Sequence, residues 1–298
     1  MAFKHYPVSY GRYIKFALER LGHRVMTCGQ ELGNRIWNIT VDDKYIHSAN
    51  YTEPHKVFYD EPYDEQAVLK IFKTDANFDT DLIITADSTF YLSNPQAKIP
   101  HVLWGADNHA RFYNQRNYYA MFFAHTWGSR MDEKNSHWLP ACYDPQAHYD
   151  LGTDRQLDVG MVGVTYQNRV EIINHMNENG IMIEAGMGLL CEKYNMFYNH
   201  CKIALVRSID GDLTQRFFEN MAQGCCVLAD RPRDAERLGF LSGVDYWAYD
   251  GTPEGATREA KFLLGSGHWK EIAANGKRKV IGHEWDARAK KLLAEVFG

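Results

Sequence analysis

The chain of 298 residues predicts an α/β protein, built on parallel sheet and long enough for two domains. Three observations carry this expectation. Short, largely apolar runs stand at 82–85, 100–104, 157–164 and 203–206, as expected of strands buried on both faces. Segments with helical apolar spacing alternate with them, among them 13–21, 65–73 and 170–179. Glycines then punctuate helix-to-strand passages, as at Gly22 and Gly224.

The elements follow in order. Ile14, Phe16, Ala17, Leu18 and Leu21 give 13–21 one apolar face, so it reads as an amphipathic helix. Gly22 closes it and a strand is expected over 25–28. Upstream stands only A-F-K-H-Y, a poor central strand, so the first strand is expected to be irregular or the chain trimmed there. The turn at Ser9, Tyr10 and Gly11 is a place where a ligand could approach. Residues 30–65 are polar and Tyr-, Asn- and Asp-rich, and are expected to be a variable insertion before a helix over 65–73. Strands are expected over 82–85, 100–104 and 121–126. The strand at 100–104 ends in G-A-D-N-H, which places Asp107 and His109 at the carboxyl rim of the sheet. There they are either turn residues or functional groups. His125 reads as a satisfied core histidine.

The hinge is expected at 146–155, a polar, Gly- and Pro-flanked stretch. The second domain opens with a strand over 157–164, then a helix over 170–179 and a strand over 181–185. The most informative stretch is 201–230. It reads as strand, polar loop, helix, Gly224 turn and strand, with Phe217, Phe218, Met221 and Ala222 on the helix's inner face. Asp212 or Thr214 is the expected N-cap, and Gln215 three residues after Asp212 makes a weak capping box. This unit aims a helix N-terminus and free N–H groups at the carboxyl end of a parallel sheet, where such folds hold phosphate. Helices over 253–264, 269–281 and 285–297 complete the chain.

Composition excludes several classes. No run of about 18 apolar residues marks a membrane span, and no basic-then-apolar leader marks secretion. Six cysteines without a C-x-x-C pair fit a reduced, cytoplasmic setting, with Cys225 and Cys226 as core thiols. Thirteen histidines show no H-E-x-x-H spacing, and no metal is expected. A formal charge of −5 is not that of a non-specific nucleic-acid binder, although the tail from Lys277 to Lys291 is locally basic. No G-x-G-x-x-G follows the 157–164 strand, which argues against a nicotinamide cofactor.

R-F-F-E-N-M-A-Q-G-C-C-V-L-A-D resembles the donor-binding helix of GT-B glycosyltransferases of the group 1 and CgeB-like type. The likeness continues through Y-D-G-T-P-E-G-A-T-R-E-A-K-F-L-L and I-A-A-N-G-K-R-K-V-I-G-H-E-W-D-A-R-A-K-K-L-L, and reaches back to L-D-V-G-M-V-G. It implies two Rossmann-like domains facing each other across a cleft. The acceptor domain would be 1–150 and the nucleotide-sugar domain 151–284, with helix 285–298 packing back on the first. It also implies a glycosyltransferase that needs no prosthetic group and uses a UDP- or GDP-sugar as co-substrate.

The resemblance assigns roles. Backbone groups at Gly163 and Gly186 would face the donor, and Arg169 would hold its diphosphate. The N–H groups of Asp212, Leu213, Thr214 and Gln215 would cradle phosphate, with Arg216 adding a cation. Glu219 would take the ribose diol. Many retaining relatives carry two glutamates with seven residues between them; Glu219 matches the second, and the first would fall at Gly211. Asp107 and His109 resemble an Asp-and-His loop that faces the sugar. In an inverting reaction they would supply the base; in a retaining one the leaving phosphate would take the proton. Retention without metal is the expectation. The acceptor is expected to be a glycan, a protein, a small molecule or a hydroxymethylated DNA base. Two other readings stand beside this one: a protein that binds or hydrolyses nucleotide sugars, and a non-catalytic interaction module on the same scaffold.

Overall fold

The computed structural model describes residues 1–29, 35–36, 39–40, 56–57, 63–86, 92–93, 98–110, 118–164 and 166–298. It divides into two compact units, Met1–Pro140 with Trp285–Gly298, and Ala141–Glu284. The division falls earlier than the expected hinge, because 141–151 is sewn into the second unit. Tyr143 joins its core beside Val206 and Phe217. Tyr149 and Leu151 donate backbone N–H groups to Asn195 Oδ1 (3.2 Å) and Asn199 Oδ1 (2.6 Å).

The first unit begins with α1 (Tyr10–Arg20), β1 (Thr27–Cys28) and β2 (Lys56–Val57). It continues with α2 (Glu65–Ala76), β3 (Ile83–Ala86), β4 (His101–Gly105), β5 (Ala120–Phe123) and β6 (Ser136–Trp138). Strands β3 to β6 run parallel in the order β6-β5-β4-β3, and β1 pairs β2 in parallel. Ala2 joins the two sets. It bridges Cys28 on one side and Thr85 on the other, donating its N–H to Ile84 O (2.8 Å) and accepting from Ala86 (2.9 Å). The irregular opening segment therefore sits at the centre of the sheet. With it, the strand order by chain position is 3-2-1-4-5-6-7, an extended Rossmann order.

Central placement explains the absence of side-chain periodicity there. Ala2 and Phe3 are both fully buried, and the ladder uses backbone alone. Gly11 is not a ligand approach: it lies within α1, and a Cβ there would stand 2.4 Å from Phe3 Cγ. The terminal helix Trp285–Phe297 belongs to this unit. Trp285 meets Trp104 edge-on at 5.3 Å, and Asp286 takes a two-pronged bond from Arg20 (Nε–Oδ1 2.9 Å, Nη2–Oδ1 2.5 Å). The insertion expected over 30–65 lies largely outside the described residues. Within it, Arg35–Ile36 pairs antiparallel with Ile39–Thr40.

The second unit is doubly wound. It contains β7 (Leu157–Val162), α3 (Gln167–Glu178), β8 (Ile183–Gly186), α4 (Cys191–His200) and β9 (Cys201–Val206). Then come α5 (Gln215–Ala222), β10 (Cys226–Ala229), β11 (Trp247–Ala248), α6 (Pro253–Ser266) and α7 (Trp269–Lys279). All pairings are parallel in the order β8-β7-β9-β10-β11. Alternate residues of β9 feed opposite layers. Ile203 and Leu205 pack with Ile172, Ala260 and Ile272, while Val206 packs with Phe217 and Phe218. Both phenylalanines are wholly buried, each contributing about 2–3 kcal/mol. That burial, more than propensity, holds an eight-residue helix in place. No described helix is long and apolar enough to cross a membrane.

Candidate functional site

In the second unit the chain leaves β7 and β9 toward opposite sides of the sheet. The carboxyl ends of these neighbouring strands form its topological switch point, where open α/β sheets bind ligands. Gly163 follows β7 there. Its φ is +144°, and a Cβ would lie 2.4 Å from Arg216 Nη1 and 3.3 Å from Arg169 Nη1. Two guanidinium groups thus converge over a glycine that leaves them room. Gly163 also donates its N–H to Gly186 O (3.0 Å), which brings the ends of β7 and β8 together.

Arg169 sits in the first turn of α3 and reaches back. Nη1 donates to Val164 O and Nη2 to Arg207 O, each at 2.7 Å. Burial, and then the charge of Arg216, lower its pKa to about 10. Arg216, in the first turn of α5, donates to Val162 O (3.1 Å). The like charges are held together by carbonyl oxygens. Such a pair is set to accept an anion.

The loop between β9 and α5 carries the other predicted groups. Leu213 is buried in the core, so only its backbone can serve a ligand. The capping expectation requires correction. Thr214 takes the N-cap position but makes no side-chain cap bond. Asp212 Oδ1 accepts instead from Ile209 N (2.6 Å), and Gln215 Nε2 donates to Glu219 Oε1 (2.5 Å) rather than reaching back to the cap. The tight 209–212 turn, with Asp210 at φ 55° and Gly211 at φ 75°, diverts Asp212 from the helix end. Thr214 Oγ1 is buried and without a hydrogen-bond partner in the structure.

Glu219 is buried rather than solvated. Its Oε2 accepts from Tyr194 Oη at 2.7 Å, and Oε1 lies 3.1 Å from His148 Nε2. Burial first, then Glu219, raise the Tyr194 pKa well above its usual value. Neither His148 nor Tyr194 was expected in this site, since both lie far from the 201–230 stretch in sequence. Arg207 and Asp230 were also missed. Asp230, just past β10, pairs with Arg207 and accepts from Ser208 N (3.0 Å) and Ser208 Oγ (2.8 Å), which fixes the β9 exit. The usable signal was the aspartate that ends C-V-L-A-D.

In the first unit Asp107 and His109 follow β4. Asp107 O accepts from Ala110 N (2.9 Å), a tight turn. His109 and His125 meet edge-on, ring centroids 4.6 Å apart. Their Nδ1 atoms are buried without hydrogen-bond partners, so His125 is a core histidine but not a satisfied one. Burial, then His109, push the His125 pKa down to about 3. Asn108, also missed, locks this loop to the next. Its Nδ2 donates to His125 O (3.2 Å) and Trp127 O (2.7 Å), and its Oδ1 accepts from His125 N (3.2 Å). The structure thus brings Gly163, Arg169, Gly186, Arg216 and the α5 N-terminus together in one unit, and Asp107 and His109 onto one loop of the other.

A family model described as glycosyl transferase-like matches residues 153–294. No curated protein matches the sequence. Solved structures match over nearly the whole chain. Sucrose-phosphate synthase from Thermosynechococcus elongatus is 13% identical with a TM-score of 0.60, over 99% of this chain and 98% of that one. Anabaena HepE in complex with UDP and glucose is 10% identical with a TM-score of 0.65, over 99% and 98%. An alpha-glucosyltransferase in complex with UDP and a 13-mer DNA containing a central A:G mismatch is 9% identical with a TM-score of 0.68, over 100% and 99%. With a Rossmann-like parallel sheet in each of its two units, the chain has the GT-B fold, and residues 153–294 resemble the glycosyl transferase-like family.

Proposed function

We propose that this protein transfers a sugar from a UDP-sugar to an acceptor hydroxyl. The observation that carries the reading is the convergence of Arg169 and Arg216 over Gly163, beside the N-terminus of α5. A diphosphate gains negative charge as it leaves, and two fixed guanidiniums with free helix N–H groups stabilise that charge. The backbone from Leu213 to Gln215 supplies those N–H groups, since the Asp212 N–H is already given to Ile209 O (3.2 Å), and Thr214 Oγ1 supplies one more polar partner. Gly186 faces the uracil, and Glu219 receives the ribose diol. UDP is preferred over other nucleotides because HepE and the alpha-glucosyltransferase are complexes with UDP.

Asp107 and His109 align the acceptor hydroxyl. The departing phosphate takes its proton, so the sugar keeps its anomeric configuration and no metal is needed. The acceptor proposed is a hydroxymethylated DNA base or a glycan, the former supported by the DNA complex among the similar structures. The test is calorimetric titration with UDP, GDP, ADP and CMP, followed by transfer assays that resolve product stereochemistry. Binding of UDP that Arg216→Ala abolishes supports the reading; a folded protein that binds no nucleotide overturns it.

One observation favours a second reading, nucleotide-sugar hydrolysis. Gly211 stands where relatives place a sugar-side glutamate, and its left-handed backbone, φ 75°, disfavours any side chain there. Release of free sugar from UDP-glucose without acceptor, at the rate of transfer, would decide for it.

A further inference from the structure

The segment through which the chain enters the second unit places one side chain against Glu219. We propose that His148 is a positioning residue for the donor ribose. It acts by holding one oxygen of the Glu219 carboxylate, so that the other face is presented to the 2′- and 3′-hydroxyls. This rests on the reading of Glu219 as the ribose ligand.

The geometry fixes what His148 can do. Asp144 N–H donates to His148 Nδ1 (3.2 Å), which makes Nδ1 the acceptor and leaves the proton on Nε2. Nε2 then lies 3.1 Å from Glu219 Oε1, with both side chains buried. The imidazole itself is held by its own turn. His148 N and Ala147 N donate to Asp144 O (2.8 and 3.1 Å), and Gln146 N donates to Asp144 Oδ1 (2.9 Å). Tyr194 packs edge-on to the ring at 5.8 Å and holds Glu219 Oε2 from the other side. Its neighbour Tyr149 is tied to α4 through Asn195 and Asn199, so the histidine cannot drift along the helix.

A carboxylate has about four lone-pair directions. Tyr194 and Gln215 donate to two, and His148 Nε2 stands 3.1 Å from Oε1, within reach of a third. Tyr194 and His148 are buried and anchored at both ends. Gln215, in the first turn of α5, is only partly buried, so it is the donor that a diol can replace. On this account His148 and Tyr194 clamp the carboxylate, and Gln215 keeps the ribose position filled until the nucleotide arrives. A side chain in the hinge-side segment thereby becomes a determinant of donor affinity.

The test measures binding of UDP and of 2′,3′-dideoxy-UDP by calorimetry to the full chain, its His148→Ala, His148→Gln and His148→Phe variants, and Glu219→Ala. The expected result is that His148→Ala and His148→Phe weaken UDP about tenfold, the worth of one hydrogen bond to a charged group. They leave the dideoxy compound unchanged, and His148→Gln, whose amide can donate, recovers most of the loss. Equal weakening of both nucleotides would show a purely structural histidine and overturn the proposal. If Glu219→Ala is selective for UDP while His148→Ala is silent, the proposal fails and the ribose reading stands. If Glu219→Ala is not selective either, the ribose reading itself fails, and the proposal with it.

Discussion

Replacing Arg169 with methionine separates affinity from stability. The variant keeps length and bulk but removes the guanidinium. It deprives Val164 O and Arg207 O of donors that stand at 2.7 Å. Two hydrogen bonds from a charged group are worth about 3–6 kcal/mol in gross terms. Against this stands the cost of keeping the cation buried beside Arg216, expressed in a pKa lowered to about 10. A depression of that size opposes the charged form by roughly 3 kcal/mol. The net loss of fold stability is therefore small, about 1–2 kcal/mol, or a midpoint lower by roughly 2–5 °C in a chain of this size. On the proposed reading the ligand-bound state suffers more, because a diphosphate would both satisfy Arg169 and relieve its repulsion from Arg216. UDP affinity is expected to fall by about 30- to 100-fold. Scanning calorimetry and UDP titration read the two effects separately. A variant with unchanged UDP affinity would refute the assignment of this arginine pair to an anion. A fall of more than about 10 °C would refute the cancellation argued for the free protein.

Three further expectations follow from the geometry. Gly211→Glu introduces the acid that the resemblance to group 1 enzymes implies, yet forces a side chain into φ 75° with its Cβ 3.2 Å from Arg233. It should cost about 1–2 kcal/mol and yield no faster transfer, as thermal melts and rate assays will show. Asn108→Ala cuts three hydrogen bonds between two rim loops of the first unit. Transfer should fall at least tenfold while UDP affinity, a property of the second unit, stays within twofold. Stability should fall with acidification from pH 6.5 towards about 3. Burial lowers the His125 pKa to about 3 and that of His101 to about 4, so the unfolded chain binds protons that the native state refuses. For His125 the loss is on the order of 2 kcal/mol at pH 5, and a pH series of melts should show a shallower slope in His125→Asn.

Much of the second unit was legible because its signals are local. A strand buried on both faces is a short apolar run, and Ile203 to Val206 shows it. A helix that covers such a sheet needs an apolar stripe, and Phe217, Phe218 and Met221 provide it. The first unit was harder. Its central strand reduces to Ala2, flanked by residues whose backbone satisfies the ladder while the sequence shows no alternation. Capping was misread for a similar reason. Asp212 has the right spacing to cap α5, but a left-handed turn at 210–211 turned it onto Ile209.

The sequence by itself determined the alternation of parallel strands and helices. It also placed a polar loop before α5 and put Arg169 and Arg216 in the first turns of the helices that follow β7 and β9. These follow from hydrophobic periodicity and turn chemistry, which act over a few residues. Only the tertiary structure decided which groups meet. His148 and Tyr194 reach Glu219 across 71 and 25 residues of chain, Arg207 finds Asp230, and Asn108 ties one rim loop to another. Such partnerships depend on strand order and on the burial that makes an unpaired polar group costly, and neither is written in local spacing.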